Sequence, residues 1–162
     1  MKIGAPKEIF AGENRVAMTP DSAVQLVKLG HQCLIESGAG VKAGFSDAAY
    51  QAAGVEVVTT AKALFDAADV VVKVRGPEEN ETKLLKKGQT LISFFWPAQN
   101  EALLKQVAEA GATAAISPTS NLFLGSGFFD YAASDAAGLR YGLASDVGGG
   151  TSFSPFHTMH AA

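Results

Sequence analysis

A chain of 162 residues has room for one domain, or one domain with an appendage, and its 48% apolar content can fill a core between a sheet and its helices. Thirteen basic residues against sixteen acidic ones give a formal net charge of −3 and no basic face, which excludes nucleic acid as a partner. Charged residues are only 18% of the chain, against roughly 25% in an average domain, so the composition predicts surface hidden by a partner or a further domain.

The first strand is predicted at 2–6, straight after Met1 and with no signal-peptide pattern. Thr19-Pro20-Asp21 then offers a helix start: an N-cap, a proline at the first helical position and an early acid. Ala23, Leu26, Val27 and Gly30 follow at i, i+3, i+4 and i+7. A strand at 31–36 contains Cys33, the sole cysteine; no internal disulfide can form, and its apolar run reads as a buried, inert thiol. Gly38-Ala39-Gly40 is not a dinucleotide fingerprint, because Gly44 comes one place too late and no long helix opens there. Ser46-Asp47 and Asn100-Glu101 look like two further N-caps. The remaining strands are predicted at 55–58, 69–74, 90–95, 112–117 and 139–145. No apolar run approaches the ~20 residues that cross a bilayer, so the expectation is a soluble, cytoplasmic protein without direct membrane insertion.

One joint recurs five times. A helical pattern ends at Gly30, Gly54, Gly88, Gly111 or Gly138, and an apolar strand follows within two residues. Glycine closes a helix in the left-handed conformation without a Cβ penalty. Repetition of this joint is the sequence form of a βαβ series. Val70-Val71-Val72 is an unbroken apolar run, as expected of a strand covered on both faces. The predicted fold is therefore α/β: an open, mainly parallel sheet with helices on both faces, Rossmann-like or flavodoxin-like.

In such a sheet, ligands bind beyond the carboxyl ends of the strands. Lys7, Glu8 and Arg15 follow the first strand, and Lys73-Val74-Arg75 ends the fourth. Arg15, Lys73 and Arg75 are candidates to hold a small anion, Arg through a bidentate fork and Lys as a point charge; the alternative is charge on surface loops. Gln99 lies after the fifth strand and is a further binding candidate. Asp146, with His157 and His160 at i, i+3, would make a three-ligand metal site; the alternative is two incidental histidines near a chain end. Gly148–Gly150 lacks the following Lys-Ser/Thr of a phosphate loop and reads as a flexible turn.

From Met1 to about Ala115 these residues carry a resemblance. Ile3-Gly4-Ala5-Pro6-Lys7-Glu8, Glu13-Asn14-Arg15-Val16-Ala17, Glu36-Ser37-Gly38-Ala39-Gly40, Val72-Lys73-Val74 and Ser93-Phe94-Phe95-Trp96-Pro97-Ala98-Gln99-Asn100 stand in the right order. The chain resembles the N-terminal domain shared by alanine dehydrogenase and the α subunit of proton-translocating NAD(P) transhydrogenase. The resemblance implies NAD(H) held by a second, Rossmann-type domain, and partners that include a nucleotide-binding or membrane subunit. It implies that Arg15 and Lys73 face the substrate carboxylate and carbonyl in the alanine dehydrogenases. The catalytic histidine of those enzymes falls near Trp96, and an indole cannot exchange protons as an imidazole does.

From about Ser117 the motifs change. Ser117-Pro118-Thr119-Ser120-Asn121-Leu122-Phe123-Leu124-Gly125-Ser126-Gly127 and Gly142-Leu143-Ala144-Ser145-Asp146-Val147-Gly148-Gly149-Gly150-Thr151-Ser152-Phe153-Ser154 resemble guanine deaminase, a zinc amidohydrolase on a (β/α)8 barrel. That resemblance implies that Asp146 corresponds to an aspartate at the catalytic metal. His157 and His160 match no ligand position of that family.

The expectation is thus a chimera: a domain of transhydrogenase/alanine dehydrogenase type over 1–116, joined to a guanine deaminase-like βα segment over 117–162 that extends the same sheet. It would lack a complete active site and need no cofactor when isolated. Two alternatives stay open. One is an oxidoreductase part that works with a separate nucleotide-binding domain; the other is a metal-binding hydrolase fragment. An exposed strand edge would also allow a homodimer.

Overall fold

The computed structural model describes residues 1–94, 101–109, 111, 113–117, 129–136, 138–144, 146 and 159–160. The chain divides into two compact units, Met1–Phe95 and Trp96–Ala162.

The first unit is built on β1 (Lys2–Ala5), β2 (Gln32–Glu36), β3 (Glu56–Val58), β4 (Val70–Arg75) and β5 (Thr90–Phe94). They form one five-stranded sheet in the order β3-β2-β1-β4-β5, and every pairing is parallel. Its helices are α1 (Pro20–Lys28), α2 (Asp47–Ala52), α3 (Ala61–Ala67) and α4 (Glu79–Thr82), with a short 3-10 turn at Val41–Ala43. Strand periodicity decides which face each helix covers, since successive side chains point to opposite sides. On one face Cys33 and Ile35 pack with Ala23 of α1 and Tyr50 of α2. On the other, Leu34 and Val71 pack with Leu64 and Phe65 of α3. Helices on both faces of an open parallel sheet make the Rossmann-like arrangement that the joints predict.

The helix starts are set by local chemistry. The Thr19 hydroxyl accepts from the Ser22 N–H at 3.2 Å, the Ser22 hydroxyl accepts in return from the Thr19 N–H, and Pro20 needs no partner for an N–H. The Ser46 hydroxyl accepts from the Ala49 N–H and starts α2. The Tyr50 hydroxyl donates to the Met18 carbonyl at 2.8 Å, so the largest buried side chain on that face leaves no polar atom unpaired. It also crowds the turn after β2: a Cβ on Gly40 would stand 2.6 Å from the Tyr50 ring.

Gly30, Gly54, Gly111 and Gly138 each follow a helix with φ between +68° and +85°, as the repeated joint requires. Gly88 differs. Its φ is +84°, but the helix before it ends at Thr82, so Lys86-Lys87-Gly88 closes a turn and not a helix. Pro77 and the short α4 use up the sequence in which a longer helix would have formed.

In the second unit, α5 (Glu101–Glu109) leads to β6 (Thr113–Ile116), and α6 (Tyr131–Ala136) leads to β7 (Arg140–Leu143). β6 and β7 pair in parallel, from Thr113 opposite Arg140 to Ile116 opposite Leu143. This differs from the expectation that residues 117–162 extend the first sheet: among the described residues the β6-β7 ladder is a sheet of its own. The ladder joins a strand before residue 117 to one after it. Phe129, Tyr131 and Tyr141 pack edge-on against one another with ring centroids 5.1–5.5 Å apart. No helix among the described residues is long and apolar enough to cross a membrane.

Candidate functional site

The strand order reverses at β1. The chain runs outward through β2 and β3, then returns to place β4 on the other side of β1. Loops leaving neighbouring strands part at such a switch point and open a crevice at the carboxyl ends. An open cleft of about 480 Å³ lies there, walled by Arg15 and Thr19 after β1, Phe45 after β2, Val72–Val74 of β4, and Ile92 and Phe94 of β5. Ile92 and Phe94 are exposed, 57% and 71%, so this wall is apolar and open to solvent.

A group of six charged side chains borders it. Lys73 Nζ donates to Glu81 Oε1 at 2.7 Å and lies 3.3 Å from Glu8 Oε2. All three side chains are between 1% and 4% exposed. Burial of an ammonium is tolerable only when it is paired, and these carboxylates supply the pairing. Glu8 has a second task. The register of β4 against β5 shifts between Val72 and Arg75, and the β4 pairing with β1 ends at Val71. Glu8 Oε1 accepts from the Val74 N–H at 2.6 Å and Oε2 from the Arg75 N–H at 3.4 Å. A carboxylate from the loop after β1 thus takes up backbone N–H groups at the end of β4.

Glu13 holds both arginines. Arg15 Nε and Nη2 donate to its two oxygens at 2.8 Å each, and Arg75 Nε donates to Oε2 at 3.1 Å. The Arg75 guanidinium also lies 5.0 Å from the centre of the Phe10 ring. The Arg15 side-chain bonds and then its backbone N–H hold the Glu13 carboxyl well below the usual carboxylate range, against the opposing effect of burial. The same contact raises the Arg15 guanidinium. On the neighbouring loop, the Ser37 hydroxyl and the Gly38 N–H donate to Asp47 at 2.6 and 2.8 Å and lower its carboxyl.

The sequence-level candidates Arg15, Lys73 and Arg75 are therefore together at one strand edge, but none stands as a bare cation. Three positive side chains meet three carboxylates, Glu8, Glu13 and Glu81, and the set is internally balanced. Glu81 was missed in the sequence. Its Glu78-x-x-Glu81 spacing announces a helix start, and nothing in that spacing announces contact with Lys73 eight residues earlier. Gln99, Trp96 and His157 lie outside the described residues. Asp146 is exposed, with φ +52°, and His160 is exposed. Among the described residues no group of three or more His, Cys, Asp or Glu side chains could hold a metal ion. The candidate zinc set of Asp146, His157 and His160 includes a residue, His157, outside that description.

The turn after β2 does not fit a dinucleotide. Gly40 leads into a three-residue 3-10 turn, and the space its missing Cβ would take is occupied by Tyr50 and the Phe45 carbonyl. A pyrophosphate needs backbone N–H groups at the start of a full helix and room to approach them.

The fold and the cleft define a Rossmann-like α/β domain that gathers charged side chains at the carboxyl ends of its strands. Residues 4–117 match the family model described as "Alanine dehydrogenase/PNT, N-terminal domain", and the chain belongs to that family. Over 113 residues it is 73% identical to the NAD(P) transhydrogenase subunit alpha of Cereibacter sphaeroides, covering 70% of this chain and 22% of that protein. It is 42% identical over 113 residues to the alanine dehydrogenase of Halomonas elongata, covering 70% of this chain and 30% of that protein. Among solved structures, the transhydrogenase from Sinorhizobium meliloti superposes with a TM-score of 0.65 at 33% identity, over 69% of this chain and 33% of that one. An L-alanine dehydrogenase superposes with a TM-score of 0.70 at 40% identity, over 74% and 33%. The chain thus spans a third or less of the length of these relatives. The family match ends at residue 117, and the guanine deaminase resemblance rests on the motifs of residues 117–154 alone.

Proposed function

We propose that this chain supplies the N-terminal domain of an NAD(P) transhydrogenase α-type oxidoreductase, and that its cleft faces a separate domain which holds the nicotinamide nucleotide. In this reading Lys73 and Arg15 hold polar groups of the bound molecule, Arg75 stations the loop that carries Arg15, and Gln99 is a further contact. The observation that carries it is Lys73 at the switch point, with a buried ammonium held in place by two buried carboxylates at the carboxyl end of β4. The identity of 73% to a transhydrogenase subunit, against 42% to an alanine dehydrogenase, supports transhydrogenase over alanine dehydrogenase chemistry. Trp96 supports it as well, since it stands where the latter enzymes need imidazole. NAD(H) and a partner subunit enter with this reading. The cofactor supplies the hydride; the chain's own part is to bind, orient and exclude water.

Complementation tests it. The Cereibacter sphaeroides subunit is made without the segment matched here, and the full 162-residue chain is added. Restored hydride exchange between NAD(H) and NADP(H) is expected, and Lys73→Met should lower the restored rate by about a hundredfold. A folded chain that restores nothing and gives no calorimetric signal with the truncated subunit and NADH refutes the reading.

The composite parentage is a separate proposal: a boundary near residue 117, with residues 117–162 derived from a guanine deaminase and inactive alone. It rests on the change of motifs and on the end of the family match. Guanine turnover by the purified chain, or stoichiometric zinc in it, would count against an inactive remnant.

A further inference from the structure

We propose that Glu81 is a positioning residue, which fixes the Lys73 ammonium at the carboxyl end of β4 while Glu8 fixes the backbone there. The inference rests on the reading of Lys73 as the functional cation of the cleft. Three observations separate the two carboxylates. Glu81 makes the shorter contact, 2.7 Å against 3.3 Å. Glu8 spends both oxygens on the Val74 and Arg75 N–H groups, so its contact to the ammonium is an addition to a backbone clamp. Glu81 uses its other oxygen on the Glu78 N–H at 2.9 Å, so the carboxylate is held at both oxygens before any ligand arrives.

Position is the scarce quantity for a lysine. Its four-carbon stem is flexible, and its head is a point charge with no directional fork. An anchored carboxylate removes that freedom in advance, as preorganised sites require. Glu81 can do so because α4 is pinned at its own start. Pro77 is fully buried, Glu78 and Glu81 cap each other, and the Thr82 hydroxyl donates to the Glu79 carbonyl at 2.8 Å. The helix is only four residues long, and it holds one buried carboxylate against β4.

The test measures acylation of each lysine of the full chain by an amine-reactive acetyl ester, followed by mass spectrometry. Lys73 should be among the slowest of the ten lysines. Glu81→Gln keeps the length but offers one acceptor to two donors, and should raise Lys73 acylation by about tenfold or more. Glu8→Gln should raise it less. Cys33 is buried and serves as the fold control, since its thiol stays unreactive in a folded variant. Unchanged Lys73 protection in a folded Glu81→Gln chain overturns the proposal, as does a larger effect from Glu8→Gln. In the complementation assay Glu81→Gln should lower the restored rate towards that of Lys73→Met. A full rate with Lys73→Met would instead overturn the functional reading of Lys73, and that outcome is separate from the acylation result.

Discussion

The pairing of Lys73 with Glu81 predicts a reversal of sign in a double-mutant cycle. Both side chains are almost fully buried, and the contact is 2.7 Å. Lys73→Met keeps most of the apolar stem and removes the charge, which leaves Glu8 and Glu81 facing each other without a cation. Breaking a buried pair from one side costs about 3–5 kcal/mol, because the remaining charge is uncompensated. In the parent chain Glu81→Gln loses a charge-assisted bond, worth about 1.5–3 kcal/mol. In the Lys73→Met background the same change removes a stranded carboxylate, so it should be neutral or stabilising. Taken together, the two effects give a coupling of about 1.5–3 kcal/mol, within the range for residues in contact. Urea unfolding at pH 7 measures it, with Cys33 thiol exposure as a reporter confined to the first unit. Glu81→Gln destabilising by the same amount in both backgrounds would refute the pairing. So would a Lys73→Met chain within about 1 kcal/mol of the parent, since that is the range of an exposed ion pair.

Two further predictions concern other residues. The Glu13 carboxyl is lowered in the folded state, so its contribution to stability is complete above the unfolded value of 4.5 and is lost as pH falls through the folded one. The stability gap between the parent and Glu13→Gln should therefore shrink between pH 7 and pH 3 in urea titrations; a gap constant across that range contradicts the Arg15–Glu13–Arg75 contact. In the second unit the Tyr131 hydroxyl is buried with no hydrogen-bond partner among the described residues, a state that costs about 1–3 kcal/mol. Tyr131→Phe should leave the thermal midpoint unchanged or raise it, and a clear fall would show that the hydroxyl is paired in solution.

The elements were legible where local chemistry decides them. The predicted strand at 31–36 is observed as Gln32–Glu36, that at 112–117 as Thr113–Ile116, and Thr19-Pro20 does start α1. Lys86-Lys87-Gly88 was misleading, because a glycine with positive φ closes a turn as readily as a helix. Arg15, Lys73 and Arg75 could be named as one group, since parallel topology puts every βα loop on one edge. Their partners could not all be named. Glu8 and Glu13 stand in motifs of the first loop, but their oxygens meet β4 more than 60 residues away. Glu81 reaches Lys73 only because Pro77 and a four-residue helix fold it back on its own strand.

Residue order alone therefore settled the alternation of strand and helix, the parallel sheet and the edge at which Arg15, Lys73 and Arg75 gather. These depend on contacts within a few positions and on a chirality common to all βαβ units. Whether three cations at that edge would stand open to an anion or be met by three carboxylates depended on the packed chain. Charge compensation is a property of distance in space, and the contacts of Glu8 and Glu81 with Lys73 have no mark in the order of the residues.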